Sequence, residues 1–249
     1  ILSLIKMNGI LRNPIVFMFS GQGSQFYHMG KELYIHNPIF KRWMLSLNEI
    51  VRQNTSRSII DEIYNTNKGN NDKFDELIFT HPAIFMVEYA LARTLIESGV
   101  EPDYVFGASL GEFTAAAVAG AVSVETALKF LLKQAELVKI YCRPGSMIAV
   151  IHSAELYHQS SLLVSHSELA AFNYHSHFVI SGDREQLLCI ENYLKANDIL
   201  FFTLPVRYGF HSANIDPIAL EYLSFLEKYQ YQKPDIPIIS SLSGCQVTE

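Results

Sequence analysis

The stretch V-F-G-A-S-L-G-E-F, Val105 to Phe113, places Ser109 inside G-x-S-x-G, between an apolar run and an Ala-rich run. The pattern predicts a strand, a sharp turn and a helix. Its two glycines admit a tight backbone path that lifts the serine hydroxyl out of the sheet and aims a helix N-terminus at it. That placement suits a nucleophile. Backbone N–H groups at the turn can hold the negative charge that develops on an attacked carbonyl oxygen.

Outward from the elbow, the segments on either side read as an α/β protein. Pro14 to Phe19 is a short apolar run ending at S-G-Q-G-S-Q (20–25), a buried first strand entering a glycine-rich loop. Gly30 to Gln53 carries apolar residues at helical spacing, and Asn65 to Lys73 is a polar surface loop. Thr80-His-Pro-Ala83 predicts a helix start, with Pro82 in the first turn and an apolar face running to Leu95. A long helix is expected over Ser123–Tyr141. After Arg143-Pro-Gly145 the order changes to β-α-β-β-α-β: strand 146–151, helix 154–164, strands 168–172 and 177–181, helix 184–196 and strand 199–206. This is the split βαβ, ferredoxin-like pattern. The expected fold class is therefore α/β, a large α/β-hydrolase-like core (14–142 and 206–249) with an inserted ferredoxin-like small domain (143–205).

Composition narrows the function classes. The 249 residues are 49% hydrophobic and 18% charged, with a formal net charge of −6. A core of useful size is expected, and the absence of a basic stripe argues against nucleic acid. Cys142, Cys189 and Cys245 have no metal-ligand spacing and read as reduced thiols of a cytosolic protein. No apolar run reaches the ~18 residues of a membrane span. The first residues are too short and interrupted for a signal peptide, and Met7 is a candidate natural start.

A nucleophilic serine needs a base within hydrogen-bond reach. Of nine histidines, His28 and His36 sit in polar helix-entry context, and His152, His158 and His166 flank the small domain's first helix. His175 and His177 form an H-x-H pair without an evident third ligand, so no metal site is expected. His211, in L-P-V-R-Y-G-F-H, comes after the small domain's last strand, where a histidine is well placed to face a cleft.

Seven blocks occur in one order: F-S-G-Q-G-S-Q (19–25), T-x-P-A (80–83), G-x-S-L-G-E-F (107–113), G-S-M-I-A-V (145–150), F-N-x-x-x-x-F-V-I-S-G (172–182), L-P-V-x-x-x-F-H (204–211) and I-P-I-I-S-S (236–241). Together they resemble the malonyl-CoA:acyl carrier protein transacylases and the acyltransferase domains of polyketide synthases. The resemblance runs from about residue 14 to the last residue, and the family normally continues some tens of residues further. It implies Ser109 as the acylated nucleophile and His211 as its base, with the Gln22 and Leu110 N–H groups as the oxyanion hole. A backbone carbonyl, from Ser240 or Ser241, would orient the histidine. Asn173 and His81 match substrate-cleft positions, and Phe210 lies in Y-G-F-H (208–211), where family motifs correlate with acyl choice. The implied partners are an acyl carrier protein and acyl-CoA, with no nucleic acid or membrane. The implied enzyme is a cytoplasmic monomer without a cofactor beyond the phosphopantetheine its substrate carries.

One departure is informative. Family members that load malonyl carry an arginine on the long helix, whose fork pairs with the substrate carboxylate. Counting 25 residues from Ser109 reaches Gln134. Lys133 points about 100° away on a helix and does not substitute. A buried carboxylate without its cation is costly, which disfavours malonyl. Ala108 and His81 also depart, where the family often has His and Gln. Arginine-to-glutamine here resembles the acyl hydrolases that clear stalled acyl groups from carrier proteins in polyketide pathways with free-standing acyltransferases. The alternatives are a transferase using acyl- or malonyl-CoA, and an unrelated α/β-hydrolase esterase. The second would need an acid after the serine, and Asp183 and Asp198 both fall in the small-domain pattern.

Overall fold

The apolar run before the elbow forms the middle strand of a three-stranded parallel sheet. A computed structural model describes residues 5–7 and 10–247. Two units divide the chain: 1–133 with 227–249, and 134–226.

In the first unit, a hairpin of β1 (Ile5–Met7) and β2 (Ile10–Arg12) leads into β3 (Val16–Phe19). The Arg12 guanidinium donates to both oxygens of Asp103 (2.7 and 2.8 Å), and the Ile15 N–H donates to the same carboxylate. These bonds hold the start of β3 beside the start of β4 (Tyr104–Gly107) and keep the Asp103 carboxyl below its usual pKa. β3 and β4 pair in parallel, Phe19 opposite Gly107, and β4 pairs in parallel with β9 (Ile238–Ser240), Gly107 opposite Ser240.

Helices make the crossovers that parallel strands require. The expected helix over 30–53 is two helices, α1 (Lys31–His36) and α2 (Pro38–Thr55). They divide because Asn37 stands extended before proline and its side chain caps the Ile39 and Phe40 N–H groups. α2 buries Phe40, Met44, Leu47 and Val51, one helical stripe. After α3 (Ile59–Ile63), α4 (Leu77–Glu97) begins a turn earlier than expected. Pro82 thus lies inside the helix and not in its first turn: Leu77 is a good helix former and is buried, and packing holds the helix through the lost hydrogen bond.

α5 (Gly111–Val118) comes directly after the elbow, and α6 spans Val124–Tyr141, across the unit division. Backbone bonds from Gln232 and Asp235 to Ala121 and Ala119 bring the returning chain beside the end of α5, in line to add β9.

The second unit holds an antiparallel sheet of order β6-β7-β5-β8, from β5 (Gly145–Val150), β6 (Glu168–Tyr174), β7 (His177–Asp183) and β8 (Phe201–Thr203). With α9 (Arg184–Ala196) this is the ferredoxin-like arrangement. The unit reaches beyond 143–205: it also takes in the end of α6, a 3-10 helix (Ala213–Ile218) and α10 (Ala219–Leu226). The helix expected over 154–164 is broken into α7 (Glu155–Gln159) and α8 (Ser161–His166). Ser160 is extended there and its hydroxyl caps the Leu163 N–H, a local alternative to continuing the helix. Alternation sets the two faces. Ile148, Val150, Phe178 and Ile180 pack against Leu163, Leu187, Ile190 and Leu194, while Met147, Ala149 and Val179 face Val206 and Phe210.

Candidate active site

The carboxyl ends of the three parallel strands of the first unit meet at one place, because register aligns Phe19, Gly107 and Ser240. Each strand runs straight into a candidate site segment: β3 into the Ser20–Gln25 loop, β4 into the elbow at Ser109, and β9 into Ser241. Open α/β sheets bind ligands at this end.

Ser109 is exposed and held at φ 54°, the left-handed region that costs a non-glycine residue of order 1–3 kcal/mol. The strain therefore falls on the serine itself. The flanking glycines, read from sequence as the source of the turn's freedom, are needed for clearance. A Cβ on Gly107 would overlap the Gly111 backbone, and one on Gly111 would press on the carbonyls of Phe19 and Ser20. The Ala108 N–H donates to Phe19 O (2.9 Å), tying the elbow to β3. The Leu110 N–H then opens α5 directly after Ser109.

The Ser20–Gln25 loop passes against the elbow: a Cβ on Gly21 would stand 2.8 Å from Ala108 O and 3.2 Å from Ser109 Cβ. Gln22 comes next in the chain. Its side-chain amide donates to Thr80 Oγ1 (3.1 Å) on α4, and Gly23 N–H donates to Gln25, whose amide donates to Phe74 O. Side chains thus occupy the loop's polar ends and fix its backbone. His81, beside Thr80, is 1% exposed, and burial pushes its pKa down to about 3, so the imidazole is neutral. A histidine enclosed in the α4 packing is not displayed at the surface.

Ser241 donates its N–H (3.0 Å) and its hydroxyl (2.5 Å) to one oxygen of Glu112, on the first turn of α5. The segment expected to orient the histidine is therefore held by the elbow helix itself. Glu88 does the corresponding thing for the Ser20 loop, accepting from the Ser20 N–H (2.7 Å) and hydroxyl (2.6 Å) and from Thr114 Oγ1 (3.0 Å). Sequence reasoning points to neither carboxylate. Glu112 lies in plain view within the elbow motif, and the signal for Glu88 is a lone acid in the apolar face of A-I-F-M-V-E-Y-A (83–90).

In the second unit, His211 is exposed and also left-handed, at φ 59°. Of the other non-glycine residues at positive φ among those described, Ser56 and Asp198 sit at helix C-termini, where that conformation is common, and His28 lies in a turn. Ser109 and His211, like His28, lie in turns. Around His211, Ser212 Oγ donates to Gly209 O (2.7 Å) and Ala213 N–H donates to Glu168 (2.8 Å), while Phe210 packs on the β5–β7 face. Asn173 is exposed on β6, its amide 3.3 Å from His177 Nδ1, and Gln134 is half-buried on α6. The described residues contain no group of three or more His, Cys, Asp or Glu able to hold a metal, and no helix long and apolar enough to cross a membrane.

Residues 16–249 match the acyl transferase domain family. The chain belongs to that family. This acyl transferase is 51% identical over 94% of its length to the polyketide biosynthesis acyltransferase homolog BaeD of Bacillus velezensis, covering 72% of that protein. It is 47% identical to the homolog PksD of Bacillus subtilis, again over 94% of its length and 72% of the relative. The acyltransferase domain from the second module of the salinomycin polyketide synthase matches 96% of this chain at 30% identity, with a TM-score of 0.83. The acyl transferase spans 55% of that solved chain. Its α/β core and ferredoxin-like small domain are the family's fold.

Proposed function

We propose that this acyl transferase works in polyketide biosynthesis, taking a short uncharged acyl group from an acyl carrier protein thioester onto Ser109 and releasing it to water. The observation that carries the reading is the elbow, an exposed serine in left-handed strain at the carboxyl end of the sheet, against a loop and a helix start that offer N–H groups. Ser109 Oγ attacks the thioester carbonyl while His211 takes its proton. The N–H groups of Gln22 and Leu110 receive the oxyanion. Collapse breaks the C–S bond, and the proton on His211 passes to the leaving thiolate. A water, deprotonated by His211, then attacks the acyl ester, and the serine oxygen leaves with that proton.

Gln134 supports the uncharged substrate. A neutral amide leaves a malonyl carboxylate without a bidentate partner, and it can orient a water. By the family resemblance, the backbone carbonyl of Ser240 or Ser241 is assigned to the histidine and Asn173 and Phe210 to the acyl group, while His81 acts through its place beside Thr80. The protein acts in the cytoplasm as a monomer with no cofactor of its own, and accepts acyl-CoA as a second donor.

Intact-mass analysis after mixing with acetyl- and malonyl-loaded carrier protein tests the reading. A 1:1 acetyl adduct that vanishes in Ser109→Ala, with malonyl lagging well behind, is the expected result; equal malonyl labelling contradicts the substrate assignment. The names of BaeD and PksD, acyltransferase homologs, favour a second reading in which a carrier-protein thiol replaces water as acceptor.

A further inference from the structure

We infer that Glu88 is a positioning residue that sets the oxyanion loop against the nucleophile elbow, an inference that rests on the acyl-Ser109 reading. The carboxylate sits on α4, outside all seven ordered sequence blocks, yet reaches both halves of the machinery. One oxygen takes the Ser20 N–H and hydroxyl, immediately before Gly21 and Gln22. The other takes the Thr114 hydroxyl from α5, one turn beyond Ser109. Gly21 in turn abuts Ala108 and Ser109. A single side chain therefore links the strand-end loop to the elbow helix, and it governs the position of the Gln22 N–H relative to Ser109.

An acid is a costly choice for a filler. Glu88 is flanked in sequence by Val87 and Tyr89, and desolvation raises its pKa to about 6 against the lowering effect of three hydrogen bonds. A residue that only filled space on an apolar helix would carry no charge there. Accepting three donors at once, two of them from one residue, is what a carboxylate does best. The expected consequence is kinetic. An oxyanion donor contributes through placement, and displacements near 1 Å are worth about 100-fold in rate.

The test compares Glu88→Ala, Glu88→Gln and Ser20→Ala with wild type in single-turnover acylation by acetyl-loaded carrier protein. Affinity is measured alongside for a trifluoromethyl ketone analogue of acetyl-pantetheine, whose adduct places an oxyanion in the hole. Glu88→Ala should slow acylation about 100-fold with KM within about threefold, and weaken the analogue in parallel. Glu88→Gln should recover most of the rate, since its oxygen can accept from Ser20 and its amide can donate to Thr114 Oγ1. Ser20→Ala, which leaves α4 untouched and removes one hydrogen bond to Glu88, should lose up to about tenfold and serves if Glu88→Ala does not fold. Wild-type rates in folded Glu88→Ala or in Ser20→Ala overturn the inference while leaving the acyl-Ser109 reading intact. So does a loss in KM alone with analogue affinity unchanged. Wild-type protein that forms no acyl adduct at all overturns both.

Discussion

Gly111→Ala is the sharpest structural perturbation of the elbow, because its cost can be read from the backbone. Gly111 is buried at the start of α5. A Cβ there would lie 2.6 Å from Ser20 O and 2.7 Å from Phe19 C, where ordinary contact begins at 3.4 Å, and would press harder still on Phe19 O. None of these neighbours is a side-chain tip that can swing aside. The end of β3 and the start of α5 must part by roughly 1 Å, and overpacking of this kind costs about 1–3 kcal/mol. For a domain of this size that lowers Tm by about 2–12 °C. The kinetic effect should be larger than the thermal one, since the parted segments are the oxyanion loop and the nucleophile turn. A loss of about 100-fold in acylation rate is expected, with the protein still folded. The assay is single-turnover acetylation of Ser109 by quenched intact mass, with a thermal melt beside it. Acylation within threefold of wild type would refute the argument that the elbow and loop are held in contact by the missing Cβ.

Other residues carry three more predictions. Gln134→Arg should restore malonyl labelling of Ser109 by at least tenfold relative to acetyl, read by competition mass spectrometry, because a bidentate partner for the carboxylate returns. Ser109→Ala and His211→Ala should each abolish turnover to within the same residual rate, and the double variant should cost little more, since both serve one step. His81→Gln should become progressively more stable than wild type as pH falls from about 6.5. The fold holds His81 neutral down to about pH 3 whereas the unfolded chain takes up a proton near 6.5, so each pH unit within that window costs wild type up to about 1.4 kcal/mol. Glu88 works in the opposite direction between about 4.5 and 6, where the fold binds the proton more readily. Wild type alone therefore shows a muted response in that range, and the Tm difference between the two proteins is the quantity to track. A difference independent of pH contradicts a buried neutral His81.

The order of the ferredoxin-like unit was legible from its apolar runs, and α9 falls at 184–196 as expected, with the Asp183 cap seen only in the structure. The elbow was legible because few sequences need two glycines bracketing a serine after an apolar run. What escaped was decided by contacts distant along the chain. Pro82 reads as a helix start, but burial of Leu77 starts α4 a turn ahead of it. Ser160 looks like a tolerated helix residue until its hydroxyl takes the Leu163 N–H. The two carboxylates that brace the site bond to residues 68 and 129 positions away, separations that no local pattern encodes. Ser109 and His211 were visible as residue types, whereas their shared left-handed backbone emerges only in three dimensions.

Discharge of acyl-Ser109 to water is read by monitoring acetyl-loaded carrier protein with catalytic enzyme and no second thiol. Free acetate should form in many-fold excess over enzyme, with holo carrier protein accumulating in step and both signals lost in Ser109→Ala. Acetate limited to one equivalent per enzyme, with catalytic turnover appearing only when a second carrier-protein thiol is added, would contradict it and assign the protein to transfer.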